Sequence, residues 1–280
     1  MSIVPHSSRS GKRAPNEANA IERSTLSDLL AGARRFELWI ALSHDDVRFR
    51  FKRTALGLAW ITVSYLVFVA AKVIIFGAIA PQPTGWFLLY VASGFLAWTF
   101  LSGSILDACN VFVTSENWIL GLKLPFSLYI FQNVFREIIF FIYSSIIVFV
   151  AFIILRWDHA AQIVWVLPAF FIYIFNAILV NMYLGPLCTR YRDITQIIQA
   201  GLRVMFFLTP LVWTPEQVGE VANWLWWNPF VYMIDIFRSP LVEGIVPIQS
   251  WVVVGLITVI NLGLGWAAFS WARNKIPYWF

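Results

Sequence analysis

Apolar residues run along this chain in long blocks rather than in alternation. A helix needs about 20 of them to cross a bilayer. Six stretches qualify: 58–80, 86–108, 128–155, 162–187, 195–213 and 251–271. A further apolar stretch, 221–241, is split by Asn228-Pro229 and carries Asp235 and Arg238 in its second half. Proline removes a donor and clashes with the preceding turn. The split therefore predicts two short re-entrant helices, which are permitted where protein or a water-filled cavity covers the backbone; a segment lying on the surface is the other reading. Ahead of the first span, Leu26, Leu29, Leu30, Ala33, Phe36 and Ile40 share one helical face, while Ser27, Asp28, Arg34 and Arg35 lie off it. Thr25 and Asp28 are spaced as a capping box. Residues 23–57 are thus expected to hold an amphipathic interfacial helix and a basic juxtamembrane segment, with packing on a soluble partner as the alternative. Residues 1–22 are polar and read as a disordered tail. The fold class is an all-α polytopic membrane protein, with a six-span domain over 58–280.

Composition strengthens this picture. Of 280 residues, 60% are hydrophobic and 12% charged, against about 25% charged in soluble domains, and the mean hydropathy is +0.73. The net charge of +5 is unevenly placed, since residues 1–57 hold ten of the twenty Lys/Arg against six Asp/Glu. Nucleic acid could attract such a segment, but its neighbour is membrane, so no nucleic-acid partner is expected. Loops on the N-terminal side carry Lys123, Arg190 and Arg192, and the tail adds Arg273 and Lys275. The opposite loops carry only Arg156 and Arg238. The positive-inside rule then puts both termini in the cytoplasm. The polar N-terminus has no apolar run before Leu56, so it is not read as a cleavable signal.

The chemistry-bearing residues argue against an enzyme. His6, His44 and His159 are scattered, Cys109 and Cys188 are the only cysteines, and neither a metal cluster nor a G-x-S-x-G elbow occurs. Gly11-Lys12 is the only Gly-Lys pair and is followed by Arg13, so the chain has no Walker A sequence and no cofactor of its own is expected. The spans contain Lys72, Asp107, Arg136, Glu137 and Arg203. Counted from the cytoplasmic ends, Arg136 and Arg203 should both lie about 12 Å deep. They are read either as snorkelling or paired side chains, or as the lining of an entrance that attracts a diphosphate. Lys72 should snorkel outward. Aromatics make up 18% of the chain. Many fall at span ends as an interfacial belt, but Phe95, Trp98, Trp224, Trp226, Trp227 and Phe230 do not. They suit either helix packing or the wall and outer gate of a pore that passes sugar rings.

Several motifs then resemble one family. Arg48-Phe-Arg-Phe-Lys-Arg-Thr-Ala-Leu-Gly-Leu-Ala-Trp60, the loop 116–125, Tyr191-Arg-Asp-Ile194, Leu208-Thr-Pro-Leu-Val-Trp213, Asn228-Pro-Phe230 and the ending Ile276-Pro-Tyr-Trp-Phe280 are similar to segments of polysaccharide-export ABC permeases, in the same order. The resemblance is to Wzm-type O-antigen, capsule or teichoic acid exporters of the bacterial inner membrane. It implies a homodimer, two copies of a nucleotide-binding subunit carrying ATP and Mg, and a polyprenyl-diphosphate-linked glycan as cargo. It also implies two re-entrant gate helices before the last span. On this reading Arg48, Arg50, Lys52, Arg53, Arg136 and Arg203 hold the lipid diphosphate. Glu116, Trp118, Ile119 and Leu120, with Arg190, Arg192 and Asp193, contact the ATPase. A membrane-embedded glycosyl or acyl transferase, or an exporter of another cargo, is the alternative.

Overall fold

The computed structural model describes residues 24–78, 80, 82–155 and 161–280; the expected tail, 1–22, lies outside them. Among the described residues every regular element is helical. In chain order the helices are α1 (Thr25–Arg34), α2 (Phe36–Phe51), α3 (Ala59–Gly77), α4 (Thr84–Asn110), α5 (Glu116–Gly121), α6 (Phe126–Leu155), α7 (Val166–Arg190), α8 (Asp193–Leu208), α9 (Pro215–Val218), α10 (Pro229–Val242) and α11 (Ile248–Ala272). A 3-10 turn, Gln162–Trp165, leads into α7, and a longer 3-10 segment, Gly219–Trp227, joins α9 to α10.

Five of these, α3, α4, α6, α7 and α11, are long and apolar enough to cross a membrane. The protein is an all-α polytopic membrane protein, and these five helices lie where the apolar blocks put spans one to four and six. The fifth block, 195–213, differs. Its helix α8 has 16 residues and stops at Leu208, a rise of about 24 Å. Thr209 takes an extended backbone (φ −100°, ψ 132°) because it precedes Pro210, whose ring disfavours the helical conformation there.

Helix α4 is the hub. Its small residues Ala92, Ser93, Gly94 and Ala97 are buried alongside Phe87, Leu89, Phe95 and Leu96, and α3, α6, α7 and α10 pack around it. The outward faces of its neighbours stay apolar: Ile74 on α3 is 76% exposed and Ile154 on α6 is 74% exposed. Such faces are costly in water and free of that cost in hydrocarbon. Close helix approach rests on small residues, as expected where lipid supplies no hydrophobic drive. A Cβ on Gly265 of α11 would lie 2.9 Å from the carbonyl oxygen of Leu179 on α7.

The Asn110 end of α4 and the Phe126 end of α6 define a basal face, where α1, α2 and α5 sit. The single amphipathic helix expected there is two, broken at Arg35 (φ −90°, ψ 39°). The expected capping box is also replaced. Ser24 caps α1 by accepting the Ser27 N–H at 3.2 Å, and Thr25 bonds Ser270 of α11 at 2.7 Å. Asp28 is buried, and its carboxylate accepts the N–H groups of Phe126 (3.2 Å) and Ser127 (3.0 Å). It thus satisfies orphan donors at the start of α6. The docked side of α1 is Thr25, Asp28 and Gly32, while Leu26 and Leu30 point outward. A helix with a polar inner face and an apolar outer one suits a bilayer surface.

The segment 221–241 divides at Asn228-Pro229 as the sequence predicts. Asn228 accepts the Phe230 N–H at 3.0 Å and donates to Thr209 Oγ1 at 2.9 Å. One side chain therefore caps α10 and ties it to the end of α8. The first turn of α10 lies deep. Phe230 packs on Trp98, ring centroids 5.2 Å apart, and Trp98 is 14 residues into α4, about 21 Å from its Thr84 end. Further along α10, Arg238 reaches Tyr90, only six residues into α4. The helix therefore starts halfway through the bundle and climbs back towards the Thr84 side.

Candidate functional site

Two groups of candidate residues gather on the basal face, and a third gathers at the tip of the re-entrant hairpin. On the basal face, α6 has 30 residues, about 45 Å of helix, well beyond a hydrocarbon core of about 30 Å. The span α3 begins level with the middle of α6, where Thr62 bonds the Tyr143 carbonyl at 2.8 Å and Ile61 packs with Ile139. Arg136, ten residues into α6, therefore lies below the level at which α3 begins, at the basal rim of the bundle. Its guanidinium donates to Asp107 at 2.6 Å and to Asn133 at 2.5 Å, and reaches Asp46 at 3.6 Å. Asn133 passes the chain on to Asn181 at 2.8 Å, and Gln132 bonds Asp46 at 2.8 Å. Glu137 is buried against Gly103. Among the described residues the two ion pairs both belong to Arg136.

The other expected entrance residues separate. Arg48 and Lys52, with His44, Asp45, Phe49, Thr54 and Leu58, line a cavity of about 520 Å³ at the turn from α2 to α3. Arg53, on that same turn, is exposed. Arg50 faces the other side of α2 and, with Arg136 and Trp118, lines a second cavity of about 320 Å³. Arg203 joins neither. It is exposed on α8, a turn and a half beyond Ile198, which packs on the buried cluster of Ala108, Cys109 and Val180. Lys72 stays inside, with its ammonium 5.1 Å from the Phe68 ring centre and 5.8 Å from that of Phe95.

The expected coupling residues form a compact basal feature. Glu116, Trp118, Ile119 and Leu120 make up most of α5. Ile119 anchors it against the core around Leu128 and Phe112, while Trp118 and Leu120 stay exposed. Arg190 closes α7 with its guanidinium over Tyr191, Trp271 and Trp279, at 5.1, 5.4 and 5.6 Å. Arg192 and Asp193 are exposed just beyond. An exposed apolar helix beside a cationic turn is the kind of patch a protein partner covers.

At the hairpin tip, Trp226 and Trp227 stack with centroids 4.2 Å apart and are 60% and 67% exposed. The side chain of Trp224 lies outside the described residues. Phe230 is half-buried on Trp98. Phe95 and Trp98 themselves are buried within the single chain, where Phe206 of α8 packs on both.

Several residues that build these regions were not singled out by sequence. Asp46 carries no sequence signal, and Asp28 reads as part of a capping box and not as a cap for α6; Asp107, the one carboxylate in its span, was the available clue to Arg136's partner. Arg238 stands out on its own: its Nη1 donates to the Pro210 carbonyl at 2.7 Å, and its guanidinium lies 4.0 Å from the Tyr90 ring centre.

Comparison with known proteins fits this arrangement. The chain is similar to two O-antigen export system permease proteins named RfbA from Klebsiella pneumoniae. One is 21% and the other 20% identical over 247 residues, covering 88% of this chain and 94% of each relative. The model of the ABC-2 type transporter family matches residues 38–242, from α2 through the basal network and α5 to the last residue of the re-entrant helix. With well over half its length in that match, this membrane-embedded chain belongs to the ABC-2 type transporter family and is a transport component rather than an enzyme.

Proposed function

We propose that this chain is the permease half of an ATP-driven exporter. It moves a polyprenyl-diphosphate-linked polysaccharide, an O-antigen-like glycan, across the bacterial cytoplasmic membrane through a pore formed by two copies. The observation that carries this reading is the stacked Trp226–Trp227 pair, exposed at the tip of a hairpin that ends halfway through the bundle. Apolar rings at such a depth, meeting their copies across a two-fold axis, shut a wide pore by excluding water. The names of the two relatives support the class of cargo.

In this reading the basal face is cytoplasmic, both termini lie there, and α8 completes the sixth crossing with the irregular residues 209–214. α5 and the turn 190–194 receive the ATPase subunit, which holds ATP and Mg. The basic end of α2, with Arg48, Lys52 and Arg53, holds the diphosphate, since arginine offers two parallel donors to phosphate oxygens. Deleting the gene should leave lipid-linked glycan in the cytoplasmic leaflet and none on the cell surface, measured by mass analysis of extracted lipid and surface labelling. Undiminished surface glycan in that strain overturns the proposal.

A further inference from the structure

The basal ends of α7 and α11 meet in a cationic corner. The two helices pack side by side, and the Tyr183 hydroxyl on α7 donates to Asn261 on α11 at 3.4 Å. Arg190 is the last residue of α7, and Trp271 lies in the last turn of α11. Both helices are long and apolar enough to cross a membrane. A tryptophan at the end of such a helix sits at the level of the lipid headgroups.

Two cations converge on that tryptophan. The Lys275 ammonium lies 3.9 Å from the Trp271 ring centre, and the Arg190 guanidinium lies 5.4 Å from it. A ring face attracts a cation without cancelling its charge. No carboxylate does so either, since both ion pairs among the described residues belong to Arg136. Arg190, Trp271 and Lys275 are all exposed. Like charges drawn to one ring repel each other, and an anion set between them relieves that repulsion.

Beside this corner both helices offer bare apolar surface. Ile260 and Leu264 share the Trp271 face of α11, and Leu187 lies one turn before Arg190 on α7. All three are exposed. The matching ligand has a negative charge at headgroup level and apolar chains that run along the two helices. We infer that the corner binds an anionic phospholipid of the bilayer. Its phosphate lies between Arg190 and Lys275, and its acyl chains lie on Leu187, Leu264 and Ile260. Basic pockets between membrane helices take lipid headgroups in this way. Arg192 and Asp193, further along the same turn, are left to the ATPase subunit.

The test uses the full chain purified in detergent and read by native mass spectrometry. The probes are phosphatidylglycerol and phosphatidylcholine of equal acyl length. Each cation near an anionic headgroup is worth about fivefold, so two should give phosphatidylglycerol a preference of about twentyfold at one site per chain. Lys275→Gln should lower that preference about fivefold, and adding Arg190→Gln should abolish it. Lys123→Gln, which removes an exposed cation from the link between α5 and α6, should leave it unchanged. Glycerol phosphate, the headgroup without chains, should not displace the lipid at equal concentration. Equal binding of the two phospholipids, as large a loss in Lys123→Gln as in Lys275→Gln, or displacement by glycerol phosphate overturns the site. Each of these outcomes leaves the export reading standing.

Discussion

Arg136 and Arg238 are both drawn into the helical bundle, and the bundle handles them in different ways. Arg136 sits at the basal rim among Asp107, Asp46 and Asn133, contributed by α4, α2 and α6. Its charge is cancelled where water is close, and the network clamps three helices together. Arg238, only 7% exposed, makes no ion pair among the described residues. Asp235, less than a turn away, is taken up by Ser239 and Ser250. The guanidinium instead meets the Pro210 carbonyl and the face of Tyr90. Near the Thr84 side of the bundle the guanidinium is met by a dipole and a ring, which pins the re-entrant helix to the link after α8.

Arg238→Met tests the contrast hardest. It removes a charge-assisted bond to a buried carbonyl and a desolvated cation–π contact, a loss of about 3 kcal/mol, read as a lowered Tm of the purified protein. A neutral result breaks the comparison. Asp107→Asn should cost about 2 kcal/mol, less than for a fully buried pair because Asp107 is about one-third exposed. Adding Arg136→Gln should recover part of that loss, since the uncompensated charge goes with it; strictly additive losses mean the pair is not coupled. Asn228→Ala uncaps α10 and frees it from Thr209, at about 1 kcal/mol, again by Tm. Smallest in stability is Trp226→Ala with Trp227→Ala, within about 0.5 kcal/mol because both rings are exposed. That pair should instead raise passive ion conductance in planar bilayers while assembly with the ATPase persists. Conductance equal to the unaltered complex places the closure elsewhere.

The spans were legible because a bilayer imposes one long period on composition, and any run of apolar residues of sufficient length reports it. The break at Asn228-Pro229 was legible for a local reason, the chemistry of proline. The end of α8 obeys the same chemistry at Pro210, but the apolar run through Leu211 and Val212 masked it. Asp28 could not be assigned from its neighbours, since the donors it satisfies lie 98 and 99 residues away. The surroundings of Arg136 could not be read by counting along its own helix, since α6 extends well below the level at which α3 begins beside Tyr143. Phe95 and Trp98 have the composition of a sugar-lining wall, and their burial depends on α8 and α10 folding back over them.

One consequence follows from where α10 begins. Aligned peptide dipoles leave about half a positive charge at a helix N-terminus, and here that end sits halfway along the bundle, where Asn228 accepts the N–H groups of Phe230 and Val231. In the pore of two copies proposed above, two such ends stand at the same level, with Arg238 adding its charge further along each helix. Once the rings part, the passage still carries an electrostatic barrier to sodium ions and protons, while an uncharged sugar polymer crosses it without penalty. The proton-motive force can thus survive a pore held open for as long as the polymer takes to pass.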